Sequence, residues 1–194
     1  MTRTTTRSTS SIGRAILVGA GAGILASLVM AAYAMIAGWA KGAGFFTSLY
    51  HIASLWASPN TMMTSMKDAV AGNPFHFEFG SAVLGMVIHM MTAAAYGAVF
   101  GLIVARLRLG TAALAAAGLV WGAAVFALSA FIGLPIAAAL FGSGDHIANM
   151  AEMAGWGTFI IEHLLYGLVL GLLVALDRRR SPIVTPAPAP AAAH

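Results

Sequence analysis

Charge is spaced along this chain in a way that leaves few folds open to it. Between Arg14 and Lys41 lie 26 residues without a charge, and between Glu78 and Arg106 lie 27. From Leu109 to Gly144 the uncharged run reaches 36 residues, and from Gly155 to Leu176 the single charge is Glu162. A helix needs about 20 predominantly apolar residues to cross a bilayer. Within hydrocarbon each backbone N–H and C=O must find a partner, which a helix supplies along its own length. The runs therefore read as four transmembrane helices, at roughly 14–40, 79–105, 111–141 and 156–177. Only 8% of the residues are charged, against about 25% in a soluble domain. An ordinary soluble enzyme is excluded, and so is disorder for most of the chain.

The expected fold class is all-α, a polytopic membrane four-helix bundle over residues 14–177. A Thr/Ser-rich tail, 1–13, precedes it, and a basic then Pro/Ala-rich tail, 178–194, follows; both read as disordered. The third run exceeds one span, and Pro135 near its end calls for a kink or a helix end. The first run continues to Trp39 without a polar break, past the roughly 7–15 apolar residues of a cleaved signal peptide, so it is expected to stay as an anchor.

Basic residues sort by side. Arg3, Arg7, Arg14, Arg106, Arg108, Arg178, Arg179 and Arg180 flank one end of the spans, and Lys41 and Lys67 the other. The positive-inside rule then puts both termini and the middle loop in the cytoplasm, with Trp39, Trp56 and Trp156 at the outer boundary. The net charge of +4 is accounted for by these topology markers, and no nucleic-acid partner is expected. The expected partners are the lipid bilayer, other membrane proteins or a second copy of the chain. Cysteine is absent, which removes disulfides, thiolate metal sites and cysteine nucleophiles.

The loops carry helical signals of their own. Phe45, Leu49, Ile52 and Trp56, then Met62, Met66 and Val70, recur at helical spacing. They predict two amphipathic helices lying on the outer interface, broken at Ser58-Pro59-Asn60 and ended by Gly72-Asn73-Pro74. In the second outer loop Asp145 is a candidate N-cap, with Ile147, Met150 and Met153 or Ala154 on one face.

Residues 96–105 (YGAVFGLIVA) return as 166–175 (YGLVLGLLVA), identical at seven of ten positions. A duplicated helix hairpin explains this and implies a pseudo-two-fold axis along the membrane normal. Each span also holds a Gly-x-x-x-Gly pair: Gly19/Gly23, Gly97/Gly101, Gly118/Gly122 and Gly167/Gly171. Small residues let helix backbones approach closely in lipid. The pairs lie mostly toward the cytoplasmic end, so the bundle is expected to be tight there and more open toward the outside.

His89, Glu162 and His163 are the costly residues, because an ionisable group at membrane depth is expensive to keep. Counted from the inner helix ends at 1.5 Å per residue, both histidines fall in the outer third. Their stripes carry Gly85, Ala93 and Tyr96, and Tyr166 and Gly167, which turns both imidazoles inward. Three uses compete. The polar groups glue the bundle through hydrogen bonds; or His89 and His163 ligate haem b iron axially; or the outer half, with His146, Met90 and Met150, binds copper. A proton or small-solute path through Glu162 and His163 is a further use. Phosphate loops, His-Glu-x-x-His helices and nucleophile elbows are missing from the sequence, so no catalytic residue is assigned. The function expected is a non-enzymatic accessory or small-ligand-binding membrane module.

Gly85-x-x-x-His89 leading to Tyr96-Gly97, then Gly118-x-x-x-Gly122, Leu134-Pro135 with Leu140-Phe141-Gly142, and His163-x-x-Tyr166-Gly167-x-x-x-Gly171 form a longer pattern. Over roughly residues 15–176 it resembles an uncharacterised family of small bacterial and archaeal four-helix inner-membrane proteins, related to the YagU-type proteins of unknown function. The resemblance implies the four-helix architecture and one histidine each on the second and fourth helices, matching His89 and His163. It implies no reaction, and neither Glu162 nor the Met-containing first outer loop maps onto it.

Overall fold

Apolar runs rich in alanine, leucine and glycine pair their backbones along themselves, and long helices result. The structure is a computed structural model that describes residues 6–180, with side chains from Ile12 onward. Its elements are α1 (Thr6–Ala40), α2 (Thr47–Ala53), α3 (Asn60–Val70), α4 (Phe79–Ala105), α5 (Thr111–Leu128), a π-helical turn (Ser129–Gly133), α6 (Leu134–Phe141), α7 (Asp145–Ala148), α8 (Met150–Ala154) and α9 (Trp156–Arg180). Four segments are long and apolar enough to cross a membrane: Ile12–Ala40, Phe79–Ala105, Thr111–Phe141 and Trp156–Arg180. The chain is an all-α, four-helix membrane bundle.

Two boundaries differ from expectation. α1 begins at Thr6, inside the stretch read as a tail, and α9 continues through Arg180. Once a helix is nucleated each further residue adds a hydrogen bond, and arginines at a helix C-terminus suit its dipole. The rest of the expected tails, 1–5 and 181–194, lies outside the described residues. In the third span the break falls just before Pro135. The Leu134 N–H reaches the Ser129 carbonyl, five residues back, a wide turn that accommodates the ring and the missing N–H of proline.

Glycine decides which helices touch. Gly19 and Gly23 of α1 lie on Gly97 and Gly101 of α4, and Gly118 and Gly122 of α5 lie on Gly167 and Gly171 of α9. A Cβ on any of the eight would run into partner backbone, so both seams depend on the absence of side chains. α1 also packs along α9, around Ala26, Phe100, Leu114, Tyr166 and Leu170. α4 and α5 meet through the rings of Phe100 and Trp121, 6.2 Å apart. Leu17, Val120 and Leu140 are exposed on the outer faces of the bundle, as residues facing lipid would be. At the arginine end, Arg178 of α9 donates to the Val104 and Leu107 carbonyls at the end of α4.

The loop helices depart from the sequence expectation. α2 does not lie on an interface with one apolar face down. It sits in the mouth of the bundle with Thr47, Leu49, Tyr50, His51 and Ala53 all buried. The reason is Gly85, whose missing side chain admits the Leu49 carbonyl against α4. Asp145 is not an N-cap; that place belongs to Gly144, at φ 80°. The chain breaks at Asn149 between α7 and α8, yet Ile147, Met150, Met153 and Ala154 all line one cavity, with Met153 partly exposed.

Candidate functional site

Toward the arginine end the glycine seams draw the long helices together. Toward the loop end the same helices carry methionine, histidine, threonine and tyrosine, and a cavity of about 350 Å³ opens between them. Its lining is mostly aliphatic, with α2 and Ile147 of α7 above it. His51, His89, Tyr96, Glu162, His163 and Tyr166 all contribute to its walls. The structure therefore brings together five of the eight residues singled out as ligand or metal candidates, and it adds Met150 as a sixth.

Two candidates are not brought in, which corrects the expectation for them. Met90 follows His89 by one residue, about 100° around the helix, and does not line the cavity. His146 lies in α7, its ring stacked 6.3 Å from that of His51, and its Nε2 is buried without a hydrogen-bond partner. No cluster of three or more His, Asp or Glu side chains able to hold a metal occurs among the described residues.

Each cavity histidine is oriented by a backbone carbonyl. His163 Nδ1 is 2.7 Å from the Phe159 oxygen, one turn back on α9. His89 Nε2 lies 3.1 Å from the Ser27 oxygen across the α1/α4 seam, and His51 Nε2 lies 2.7 Å from the His146 oxygen in α7. A carbonyl only accepts, so each of these nitrogens carries the proton. In the neutral ring the other nitrogen is then a lone-pair acceptor: Nε2 of His163, and Nδ1 of His89 and His51. None of these three has a hydrogen-bond partner among the described residues. For His51, outside the spans, burial holds the imidazole below its ordinary pKa and so favours the neutral ring.

Glu162 is different in kind. It is 7% exposed, yet it makes no hydrogen bond among the described residues. His163 Nδ1 lies 3.8 Å from Oε1, and that nitrogen is already committed to Phe159. One turn toward the loop end, Lys41 closes the rim. Its ammonium donates to the Ala154 carbonyl at 2.8 Å and to the Thr158 hydroxyl, tying the end of α1 to the start of α9. Tyr166 donates to the Ala93 carbonyl of α4 at 2.7 Å.

His51 and Lys41 are the site residues that sequence reasoning missed. Thr47, His51 and Ser54 stand at helical spacing on α2 and are all buried. That polar stripe was the available signal, hidden behind the more obvious apolar one. Lys41 reads in the sequence as a topology marker, and nothing local says that its side chain folds back onto α9. No family model, curated protein or solved structure matches this chain.

Proposed function

We propose that this chain is a non-enzymatic, small-ligand-binding module of the bacterial inner membrane. Its termini lie in the cytoplasm and its cavity lies toward the outer face. The arginine-rich end and the lysine-bearing loops support that orientation. The resemblance to the YagU-type family is compatible with it and adds no chemistry.

One observation carries the reading: Glu162 is buried without a hydrogen bond. A polar group kept to glue helices together bonds across them, as Tyr166 does to Ala93. A buried carboxyl without a partner costs stability; retained beside a cavity, it serves a molecule that enters. The same holds for the open nitrogens of the three histidines. Two measurements test this together. Glu162→Leu is expected to melt at or above the wild-type temperature, because an unmet desolvation cost is removed. A small molecule is expected to travel with the wild-type protein in native mass spectrometry and to be lost from Glu162→Leu. A lower melting temperature for the variant, with no molecule on the wild type, would overturn the reading.

A second reading has one observation in its favour. His163 is held through Nδ1 by a carbonyl with Nε2 left open, the usual posture of a metal-ligating imidazole. Haem b binding would show as a Soret band in the purified protein that His163→Ala abolishes. Copper binding would show as metal above a His163→Ala control after copper loading. A colourless, copper-free protein ends this alternative.

A further inference from the structure

Three of the four lateral walls of the cavity are closed. Above the glycine seams, His89 bonds to the Ser27 carbonyl of α1, and Phe126 and Phe131 of the third span meet the rings of Phe159, His163 and Trp156 on α9. α1 is clamped to α9 at the rim by Lys41, and Tyr166 crosses from α9 to α4 beneath. The fourth wall lies between α4 and the third span, and there the contacts stop partway up. The ring pair Phe100–Trp121 joins the two in the arginine-end half. Above it no hydrogen bond or ring contact links α4 to α5, to the π-helical turn or to α6 among the described residues. Yet both banks line the cavity: Thr92 and Tyr96 on α4, and Ser129, Gly133 and Leu134 opposite. Thr92 is also exposed. Gly133 faces Tyr96 without a side chain between them; a Cβ there would come within 3.9 Å of the Tyr96 hydroxyl.

Depth matters for what can use such a gap. Tyr96 is ten residues from Arg106, or about 15 Å along the helix, the middle of a hydrocarbon core about 30 Å thick. The gap therefore runs from the midplane into the leaflet at the loop end. Inside, the polar groups without a hydrogen bond are the open nitrogens of His51, His89 and His163 and the Glu162 carboxyl, which accept, and the Tyr96 and Ser129 hydroxyls, which accept as well as donate. The wall carries both signs, the Glu162 carboxyl and the Lys41 ammonium, so a head of either charge would meet its like there. The remaining complement is an uncharged donor on an apolar body, since most of the lining is aliphatic.

We propose that the cavity takes a neutral, lipid-soluble molecule whose head donates a hydrogen bond, of the hydroxyl or phenol type, and that it arrives sideways from the bilayer between α4 and the third span. This rests on the ligand-binding reading above and narrows it to a substrate class and a route.

The experiment uses the full chain in lipid vesicles and three photoactivatable diazirine probes. They are a long-chain alcohol dissolved in the bilayer, its methyl ether, and a short water-soluble alcohol. The long alcohol is expected to label peptides containing Thr92 and Ser129 several-fold more than the ether does. Two variants block the gap from opposite banks, Gly133→Phe and Thr92→Phe, the second at an exposed position that tolerates bulk. Both are expected to cut labelling by the long alcohol several-fold more than labelling by the short one. Equal labelling by the ether overturns the donor head, and full labelling of both variants by the long alcohol overturns the lateral route. Labelling of the cavity by the short alcohol alone sinks this proposal and leaves ligand binding standing. Labelling by neither alcohol removes both.

Discussion

Tyr96 and Tyr166 hold the same place in the repeat, as do Gly97 and Gly167 after them. Both glycines do the same work, each lying against the backbone of the first helix of its own pair. The tyrosines do not. Tyr166 donates to Ala93 across a closed interface, whereas Tyr96 makes no hydrogen bond among the described residues and stands beside Gly133, where a Cβ would lie 3.9 Å from its hydroxyl. Duplication copied the contacts within a pair and left the contacts between pairs uncopied. α1 lies along α9 on one side, and its counterpart contact between α5 and α4 is mostly missing on the other. Burial follows the same line: 50% of the fourth span is buried against 17% of the third. The candidate site owes its open wall to this broken symmetry.

The largest effects belong where the two pairs are alike. Gly97→Ala and Gly167→Ala each drive a Cβ into partner backbone, and each is expected to cost at least about 2 kcal/mol. Gly21→Ala meets nothing within 4 Å and serves as the control, neutral or stabilising by up to about 1 kcal/mol. Thermal melts in one detergent check all three. If the two seam variants differed by more than their own effect, the pairs would not be equivalent.

A smaller effect tests where the pairs diverge. Tyr166→Phe removes an interhelical hydrogen bond and is expected to cost about 0.6–1.7 kcal/mol. Tyr96→Phe removes none and should fall within a few tenths of zero. Equal losses from both would restore the symmetry that the structure breaks.

The smallest effect concerns the roof. Burial lowers the His51 pKa from the usual 6.5; the bond to the His146 carbonyl offsets part of this, and the charge of the His146 ring adds a smaller lowering. A histidine whose folded pKa is depressed contributes stability above pH 6.5 and loses it as the pH falls below that value, because the unfolded chain takes up the proton first. Amide exchange in α2 and α7 should therefore quicken between pH 6.5 and 5, and His51→Gln should flatten that dependence. Unchanged exchange over the interval would show that the roof is held by other contacts.

Much of the fold is legible without coordinates, and for local reasons. Span length follows from the apolar runs, and the glycine seams follow from four-residue spacing, which puts both glycines on one face. His89 and His163 could be turned inward because their stripes carry glycine and tyrosine. The same locality explains the failures. α2 was placed on the interface because its apolar spacing is clear, whereas its real position depends on Gly85, 36 residues after Leu49. Asp145 has the chemistry of an N-cap, but the left-handed turn at Gly144 took that position.

What the sequence alone determined is the membrane, the number of helices, the faces on which their backbones approach and the presence of ionisable groups at depth. Each of these depends on residues within a few turns of one another. Only the tertiary structure decided which helices stand side by side, and hence that α4 and α5 part above Phe100 and Trp121. It also decided that Glu162 makes no hydrogen bond, that Lys41 folds back on α9, and that three imidazoles lining one cavity each keep a ring nitrogen without a hydrogen bond. Those outcomes depend on groups far apart in the chain, whose meeting is set by packing order rather than by any local pattern.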